Sequence, residues 1–293
     1  MQPVVVVTGA SAGIGRHTAH AFAAAGWAVV LAARDPAVLA EAAARCPGPA
    51  LAVPTDTSDP VAVEALAEAA VAHFGRLDAW VNNAAVAAFG SVEDTPTADV
   101  RRVLEVNVLG YLHGVRAALP RLRRAGGGTI VNVASAVGVL GHPAAMGYAM
   151  SKFAVRGLSR SLRQELLLAG ERRIRVCVVL PSSVDTPLYR NAANYRGARA
   201  HPVPPVYRPA QVARRIVALT RRPRRQVYVG AAGRLAALGY RVLPGVLDRL
   251  YVAMVRRRQF GPEPSPPTAG NLHAPRHAER PRREPAPERG ARP

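Results

Sequence analysis

Short runs of purely apolar residues alternate with helical segments along the first 230 residues of the chain. Residues 4–7, 28–33 and 50–53 are the first three runs, and alanine-rich segments of helical length separate them. A strand without polar alternation is typical of a sheet that is covered on both faces. Strands that alternate with helices form parallel sheets. The pattern therefore predicts an α/β protein with a doubly wound parallel sheet, in which ligands bind at the carboxyl ends of the strands.

The same patterns give the positions of the other elements. Helices are predicted at residues 13–25, 37–44, 60–74, 100–124 and 148–168. Further strands are predicted at residues 77–81, 129–133, 176–180 and 227–229, where β-branched residues cluster. Together these elements make residues 1–230 a single domain of the Rossmann fold, with helices on both faces of the sheet.

The composition changes after residue 230. Residues 231–260 combine large apolar side chains with arginines, and a helix broken at Pro244 is predicted. This is too much apolar surface to leave in water, so we expect the segment to cover the substrate cleft, a partner subunit or a bilayer surface. Residues 261–293 are rich in Pro, Arg, Glu and Ala. Because they lack large apolar residues, they are expected to form a disordered tail.

The formal net charge of +20 raises nucleic acid or an anionic membrane as partners. The basic residues are scattered, however, and no RNA-binding aromatic signature or zinc spacing accompanies them, so nucleic acid is not expected. Cys46 and Cys177 lie far apart and suggest no metal site. No secretory signal and no uncharged apolar span of bilayer length is visible. A cytoplasmic protein is expected, with peripheral membrane contact through residues 231–260 left open.

The first strand ends in a glycine-rich turn, Thr8-Gly9-Ala10-Ser11-Ala12-Gly13-Ile14-Gly15. Glycines allow the backbone to turn tightly and to approach a pyrophosphate. The helix that follows offers unpaired N–H groups and the positive end of its dipole. The turn therefore predicts dinucleotide binding, although its spacing is Thr-Gly-x-x-x-Gly-Ile-Gly rather than Gly-x-Gly-x-x-Gly.

Lys152 is the only lysine in the chain and lies four residues after Tyr148. Residues at this spacing share one face of a helix. An ammonium beside a phenol favours the ionised phenol and lowers its pKa, which would make Tyr148 a proton donor and acceptor near neutrality. A planar guanidinium is not equivalent to this compact charge.

With these motifs, the chain resembles the short-chain dehydrogenase/reductase family, in its shorter single-domain branch, over residues 4 to about 230. Asn82-Asn83-Ala84-Ala85 is similar to the family's Asn-Asn-Ala-Gly. Asn107 in Asn107-Val108-Leu109-Gly110, and Ser135, thirteen residues before Tyr148, stand at family positions. Residues 181–186 resemble Pro-Gly-x-Val-x-Thr, but Ser182 replaces the glycine.

The resemblance implies reversible hydride transfer between a nicotinamide and a carbonyl or secondary alcohol. By this resemblance, Tyr148 transfers the proton and Ser135 stabilises the carbonyl oxygen. Lys152 binds the ribose hydroxyls and lowers the pKa of Tyr148, and Asn107 holds a water of the proton relay. The implied cofactor site comprises Gly9, Ser11, Gly13, Ile14, Gly15, Arg34, Asp56, Asn83, Ala84, Lys152, Pro181, Val184 and Thr186. Asp56 stands where the family meets the adenine amino group.

The end of the second strand bears on the choice of cofactor. By resemblance, Ala33 stands where NAD-dependent members carry an acid for the ribose hydroxyls. Arg34 can instead pair with a 2′-phosphate, unless it is a solvated arginine that pairs with Asp35. NADP(H) is therefore the predicted cofactor, with NAD possible.

The predicted substrate wall is mostly apolar and has no fixed countercharge. It comprises Val86, Ala87, Val137, Leu140, His142, Met146 and Leu188, with a lid from residue 187 to about 208. This favours a hydrophobic ketone, aldehyde or alcohol, with steroid, fatty-chain, polyketide-like and aromatic compounds all open. A homodimer or homotetramer is expected. The alternatives are a catalytically silent nucleotide sensor, or a basic module for membrane surfaces or nucleic acid on the same fold.

Overall fold

The computed structural model describes residues 2–276. Its centre is a seven-stranded parallel sheet in the order β10-β7-β6-β4-β1-β2-β3. This is the doubly wound sheet that the sequence predicts, and its strand order reverses between β1 and β4. The sheet strands are β1 (Val4–Thr8), β2 (Ala28–Ala33), β3 (Ala50–Pro54), β4 (Ala79–Asn82), β6 (Gly128–Val133), β7 (Ile174–Pro181) and β10 (Gln226–Val229).

The helices cover both faces of this sheet. On one face lie α1 (Gly13–Ala24), α2 (Pro36–Ala44) and α9 (Pro209–Arg221); on the other lie α3 (Pro60–Phe74), α5 (Gly110–Arg124) and α7 (Met146–Leu168). Helix α4 (Thr97–Leu104) precedes α5. Short elements at the carboxyl end of the sheet are β5 (Ala88–Phe89), α6 (Val137–Leu140), α8 (Leu188–Asn191), β8 (Ala193–Asn194) and β9 (Ala198–Ala200).

The four valines of β1 explain why the sheet is buried on both sides. Val5 and Val7 pack in one apolar cluster with Phe22 of α1, whereas Val4 and Val6 pack in another. All four are at most 1% exposed. Because successive side chains of a strand point to opposite faces, an uninterrupted valine run fills both cores at once.

The predicted helix at residues 100–124 is interrupted. Between α4 and α5, residues Glu105–Leu109 form a π-helical turn. Asn107 at its centre is completely buried, and its side chain bonds both polar backbone atoms of Val86. Such wide turns are frequent at functional sites. Here the turn directs a polar side chain inward, which the helical period alone does not predict.

The chain after β10 continues with α10 (Ala231–Gly239), α11 (Pro244–Arg258) and β11 (Phe260–Pro264). The two helices lie in the segment predicted to be helical, and Pro244 is the first residue of α11. Among residues 2–276, no helix is both long enough and apolar enough to cross a membrane.

The prediction of a disordered tail from residue 261 is wrong for residues 261–276. Strand β11 pairs antiparallel with β9. The next twelve residues, 265–276, which we call the strap, dock on the domain, and Leu272 of the strap is fully buried. The segment has too few apolar residues to build a core of its own, but one leucine and many backbone hydrogen bonds attach it to a core that already exists. The rest of the predicted tail, residues 277–293, lies outside the described residues.

Candidate active site

The glycine-rich turn lies where β1 and β4 end side by side. The Thr8 hydroxyl accepts hydrogen bonds from the backbone N–H groups of Asn83 (3.0 Å) and Ala84 (3.1 Å). Gly9 has φ +66°, and a Cβ on it would lie 2.8 Å from the Ala84 Cα. A Cβ on Gly15 would lie 2.1 Å from the Gly9 carbonyl oxygen. Only glycine fits at both positions, and the resulting cradle opens at the N-terminus of α1, as a pyrophosphate requires.

A cleft of about 1010 Å³ runs across the carboxyl end of the sheet from this turn. It brings together most of the side chains that the sequence singles out. Those lining it are Gly9, Ser11, Gly13, Ile14, Arg34, Asp56, Asn83, Ala84, Ser135, Tyr148, Lys152, Pro181, Val184 and Thr186. Gly15 lies behind this surface, against Gly9. The set can hold a dinucleotide along the cleft, with the glycine cradle at its middle.

Lys152 projects from α7 into a cage of two tyrosines and one carbonyl. Its Nζ donates to the Val133 oxygen at 2.9 Å and to the Tyr111 hydroxyl at 3.4 Å. It also lies 5.2 Å and 5.4 Å from the ring centroids of Tyr111 and Tyr148. Burial lowers the pKa of Lys152 to about 7. Tyr111 is a site residue that the sequence reasoning missed, although its position four residues after Asn107 places both on one helical face.

Tyr148 has a pKa above its ordinary value, because burial disfavours the phenolate and Tyr189 adds to the effect. A hydrogen bond from the Ser135 side chain acts in the opposite direction. The effect of the Lys152 charge on this pKa stays a prediction, and burial is the largest cause of the raised value. The phenol is protonated at neutral pH, which is the form that donates a proton.

Ser135 ends up beside Tyr148 because β6 stops just before it and α6 begins just after it. Its hydroxyl accepts a hydrogen bond from the Val137 N–H at 3.2 Å, which fixes the side chain toward the cleft. Serine and tyrosine hydroxyls thus face the same space. Two donors that converge on one point are suited to bind a carbonyl oxygen and to stabilise negative charge on it.

Asn107 does not line the cleft. Both hydrogens of its amide are used, one by the Val86 oxygen and one by the Ser151 hydroxyl. The amide therefore fixes Val86, a residue of the cleft wall. A relay water at this position would have to contact the backbone of Asn107 rather than its side chain.

The substrate end of the cleft contains Val86, Ala87, Val137, Leu140, His142 and Leu188, all of which belong to the predicted wall. Met146 does not. It lies in a separate shallow groove with Met150 and Phe153. Met146 stands two residues before Tyr148, and residues at that spacing do not share a helix face. The assignment of Met146 to the substrate wall is wrong.

Aromatic side chains that the sequence reasoning did not assign surround the substrate end. Phe89 and Tyr189 stack with their ring centroids 6.1 Å apart, and Phe260 meets Phe89 edge-on. Tyr251, from α11, meets His142 edge-on at 5.9 Å. Residues 231–260 therefore cover part of the substrate cleft, which is one of the three surfaces that the sequence suggests for them. Tyr189 could have been found from its position next to Leu188 in the predicted lid.

His142 is held by the C-terminal segment. Its Nε2 is 2.9 Å from Oε1 of Gln259, and its Nδ1 accepts from the Ala144 N–H at 3.2 Å. Since Nδ1 is an acceptor, Nε2 carries the hydrogen and donates to Gln259. Burial lowers the pKa of His142 to about 4, so the ring is neutral at physiological pH. The substrate end thus carries no fixed charge from this residue.

At the adenosine end, Arg34 and Asp56 already have protein partners. The Arg34 guanidinium donates to the carbonyls of Asn271 (2.6 Å) and Leu272 (3.1 Å) of the strap. Asp56 forms a 2.6 Å ion pair with Arg102. The alternative that Arg34 is a solvated arginine is wrong. To bind a 2′-phosphate as predicted, Arg34 would have to use the N–H groups of its guanidinium that do not contact the strap.

Within residues 2–276, no three His, Cys, Asp or Glu side chains converge in a way suited to a metal ion.

Residues 3–196 match the family model for short chain dehydrogenases. The chain belongs to the short-chain dehydrogenase/reductase family, and it is an NAD(P)-dependent oxidoreductase of that family. This assignment agrees with the fold, the glycine cradle and the arrangement of Ser135, Tyr148 and Lys152.

Two relatives show the range of similarity. The uncharacterized oxidoreductase YxnA of Bacillus subtilis (strain 168) is 35% identical over 269 residues, which cover 90% of this chain and 75% of the relative. The 3-alpha-(or 20-beta)-hydroxysteroid dehydrogenase of Mycobacterium bovis is 37% identical over 189 residues, which cover 63% of this chain and 70% of that protein.

Solved structures extend the comparison to the cofactor. A short chain dehydrogenase/reductase from Burkholderia phymatum in complex with NAD has a TM-score of 0.72 at 27% identity, covering 91% of this chain and 98% of its own. An alcohol dehydrogenase from Thermococcus sibiricus complexed with 5-hydroxy-NADP has a TM-score of 0.66 at 26% identity, covering 78% and 96%. These similar structures bind nicotinamide cofactors of both types.

Proposed function

We propose that this protein is an NADP-dependent oxidoreductase that interconverts a hydrophobic ketone or aldehyde and the corresponding alcohol. The observation that carries the proposal is the convergence of Ser135, Tyr148 and Lys152 in one cleft that also contains the glycine cradle. A nucleotide sensor would need the cradle but not the three side chains. Nucleotide binding without turnover of any carbonyl or alcohol would favour that silent-sensor alternative.

The proposed chemistry follows from the positions of the protein groups. The bound nicotinamide supplies the hydride in reduction and accepts it in oxidation. Ser135 hydrogen-bonds the carbonyl oxygen, and Tyr148 gives its proton to that oxygen as the alcohol forms. In oxidation, Tyr148 takes the proton back. Lys152, fixed by Val133 and Tyr111, would bind the ribose hydroxyls and keep a positive charge near the phenol.

For the substrate, we favour a bulky, apolar carbonyl compound with a flat ring system. The wall of the cleft is aliphatic and aromatic, and the one imidazole in it is neutral. Stacked Phe89 and Tyr189 offer flat surfaces on which rings pack well. The relative that acts on hydroxysteroids supports the same class.

The test is a screen for loss of nicotinamide absorbance with NADPH and NADH, using pairs of ring and open-chain ketones of equal carbon number. The proposal expects turnover with NADPH and a preference for the ring compound of each pair. Turnover confined to phosphorylated or acidic carbonyls would contradict the substrate class. The Tyr148→Phe variant is the matched inactive control.

The preference for NADPH is supported by the charge at the adenosine end. Ala33 offers no acid for the ribose hydroxyls, and Arg16, Arg34 and Arg45 line that part of the cleft. We expect Ala33→Asp alone to shift the ratio of kcat/KM for NADPH to that for NADH at least tenfold toward NADH, about 1.4 kcal/mol. Arg34 is left unchanged because it also holds the strap. An unmodified protein that uses both cofactors equally would contradict the preference.

We also propose that helices α10 and α11, the C-terminal helical pair, lie on an anionic lipid surface. Leu235 of α10 is 67% exposed, Leu250 of α11 is 62% exposed and Val242 between the helices is 75% exposed, so apolar side chains face outward along the pair. Arg256, Arg257 and Arg258 follow them, exposed, at the end of α11. Apolar side chains flanked by arginines are typical of interfacial helices. The alternative occupant of this surface is a second copy of the chain.

The same helical pair lines the substrate end of the cleft, through Gly233 and Ala236 of α10 and Tyr251 and Met254 of α11. A substrate dissolved in lipid would therefore meet the cleft beside the membrane. A homodimer or homotetramer is proposed as well, and the exposed side chains of Met150 and Phe153 on α7 offer it a further apolar surface. Light scattering on the full chain measures the oligomeric state.

A further inference from the structure

The strap crosses the adenosine end of the cleft, where sequence reasoning expects no structure at all. Its course is fixed by main-chain hydrogen bonds to the segment around β8. Thr268 exchanges both backbone hydrogen bonds with Asn194, at 2.8 and 3.0 Å, and the Asn271 N–H donates to the Asn191 oxygen at 2.8 Å. Bonds of this kind set the register of the strap, so that residues 271–276 follow at a defined place.

Leu272 is the apolar anchor of the strap. Its side chain is fully buried in a small cluster with Val86, Val103 and Val106. Val86 and Val106 also line the cleft. The anchor thus packs directly behind residues that form the wall of the cleft.

Two arginines converge on the backbone of the same residue. Arg34 and Arg102 each donate to the Leu272 carbonyl at 3.1 Å, and Arg34 also donates to the Asn271 carbonyl at 2.6 Å. Arg102 is in turn paired with Asp56, the residue aligned with adenine recognition. The strap is therefore tied into the set of charges that faces the adenosine half of a dinucleotide.

The docked strap leaves the cleft open and becomes part of its wall. Asn271, Pro275 and Arg276 line the cleft together with Arg34 and Asp56. The Asn271 Oδ1 is buried and has no hydrogen-bond partner among the described residues. Because Asn271 lines the cleft, a rotation of its amide would bring this unpaired oxygen to an N–H or O–H of a ligand bound there.

We propose that the strap is a third wall of the cofactor site, which holds the adenosine half of the dinucleotide, and that Asn271 accepts a hydrogen bond from the adenine amino group or a ribose hydroxyl. This inference rests on the nicotinamide cofactor of the proposed function. Residues of the strap, which are far from the glycine cradle in sequence, would then contribute to the affinity for the cofactor. Nothing in it depends on the substrate.

Binding to the full chain, measured by calorimetry without substrate, tests the proposal. Leu272→Asp should undock the strap and raise the Kd for NADPH and for ADP at least tenfold, with the Kd for nicotinamide mononucleotide unchanged. Asn271→Ala removes only the free acceptor and should raise the Kd for NADPH about threefold or more. Leu168→Asp, at a 91% exposed leucine on α7, is the matched control and should bind like the unmodified protein.

The results distinguish a failure of the proposed function from a failure of the proposed role of the strap. If the unmodified protein binds neither NADPH nor NADH, the proposed function fails. If it binds them, and Leu272→Asp binds equally well or more tightly, the strap is an occluding or indifferent segment and the inference is overturned. Hydrogen exchange of the unmodified protein gives a readout without mutation: NADPH should slow exchange in residues 265–276, and unchanged exchange there would also overturn the inference.

Discussion

The lone lysine of the chain is caged by two tyrosines and the Val133 carbonyl. We expect that arginine cannot replace it, because a guanidinium carries five N–H donors and the hydrogen bonds of Nζ use two acceptors, the Val133 oxygen and the Tyr111 hydroxyl. It also changes the interpretation of the pair. Sequence spacing suggests that Lys152 makes the phenol more acidic, whereas burial keeps Tyr148 protonated. The protonated phenol suits the reductive direction of the proposed reaction.

Tyr148→Phe tests the proton-transfer role. It removes one hydroxyl and keeps the ring that packs beside Lys152, so we expect kcat to fall at least about a hundredfold, as loss of a general acid does. NADPH affinity should stay within about twofold, since the hydroxyl contributes to chemistry and not to the cradle. Steady-state kinetics and cofactor titration give both numbers. A variant that keeps a tenth of the activity would remove Tyr148 from its role.

Lys152→Met tests the depressed pKa of Lys152. A lysine with a pKa of about 7 when folded and 10.5 when unfolded binds fewer protons in the folded state between these values. The free energy of unfolding therefore rises with pH across that window, and the contribution is lost as pH falls toward 7. Compared with the methionine variant, the unmodified protein should gain stability from pH 7 to pH 10. Parallel Tm profiles for both proteins would contradict the depressed pKa.

Among the secondary-structure elements, the sequence predicts the helices and strands whose start, end and apolar pattern depend on neighbouring residues. Helix α3 spans the predicted residues 60–74, since Asp59 accepts a hydrogen bond from the Val61 N–H at its start and Gly75 turns left-handed at its end. The strands are predicted from their uninterrupted apolar runs. The π-helical turn cannot be predicted in this way, because it depends on hydrogen bonds to the backbone of Val86, which is distant in sequence.

The ordered strap could not be predicted from its own sequence. Its composition indicates disorder, and by itself the segment has no core. Its order comes from Arg34, Arg102 and the apolar cluster that contains Val86, Val103 and Val106, none of which is near it in sequence. In the same way, glycine spacing and the Ser135, Tyr148 and Lys152 positions are visible in sequence, whereas Tyr251 and Gln259 reach the cleft only through the course of α11.

Gln259→Ala tests the link between α11 and the substrate wall. The change leaves the buried Nε2–H of His142 without its acceptor, so we expect a loss of about 1–3 kcal/mol in the free energy of unfolding. KM for the carbonyl substrate should rise while the Kd for NADPH is unchanged, because His142 lies at the substrate end. Chemical denaturation and kinetics measure both effects. Gln259→Ala in a His142→Phe background is the control, because it leaves no unpaired Nε2–H and should cost less stability.

For the whole molecule, the exposed apolar surface of the helical pair raises the question of what covers it. We expect the full chain to float with vesicles that contain anionic lipid at low salt, and to lose this binding at high salt because arginine contacts are screened. Neutral vesicles should bind it more weakly. Leu243→Glu combined with Leu250→Glu should abolish flotation.

The control for this experiment is Leu168→Glu, which adds a charge at a leucine that is 91% exposed but far along the chain from the helical pair. It should float like the unmodified protein. A second copy as the occupant gives a different result: no flotation, and conversion of an oligomer to monomers by the two substitutions in light scattering. That result would contradict the membrane proposal.

Strand β10 ends at Val229, so all seven strands of the sheet precede the helical pair and the strap along the chain. Domains fold as units while the ribosome adds residues in order. A growing chain can thus pass through a stage in which the glycine cradle exists but two of the cleft's outer walls do not. If the strap is a wall of the cofactor site as proposed, a dinucleotide that enters at this stage meets a groove to which residues 265–276 have not yet added that wall.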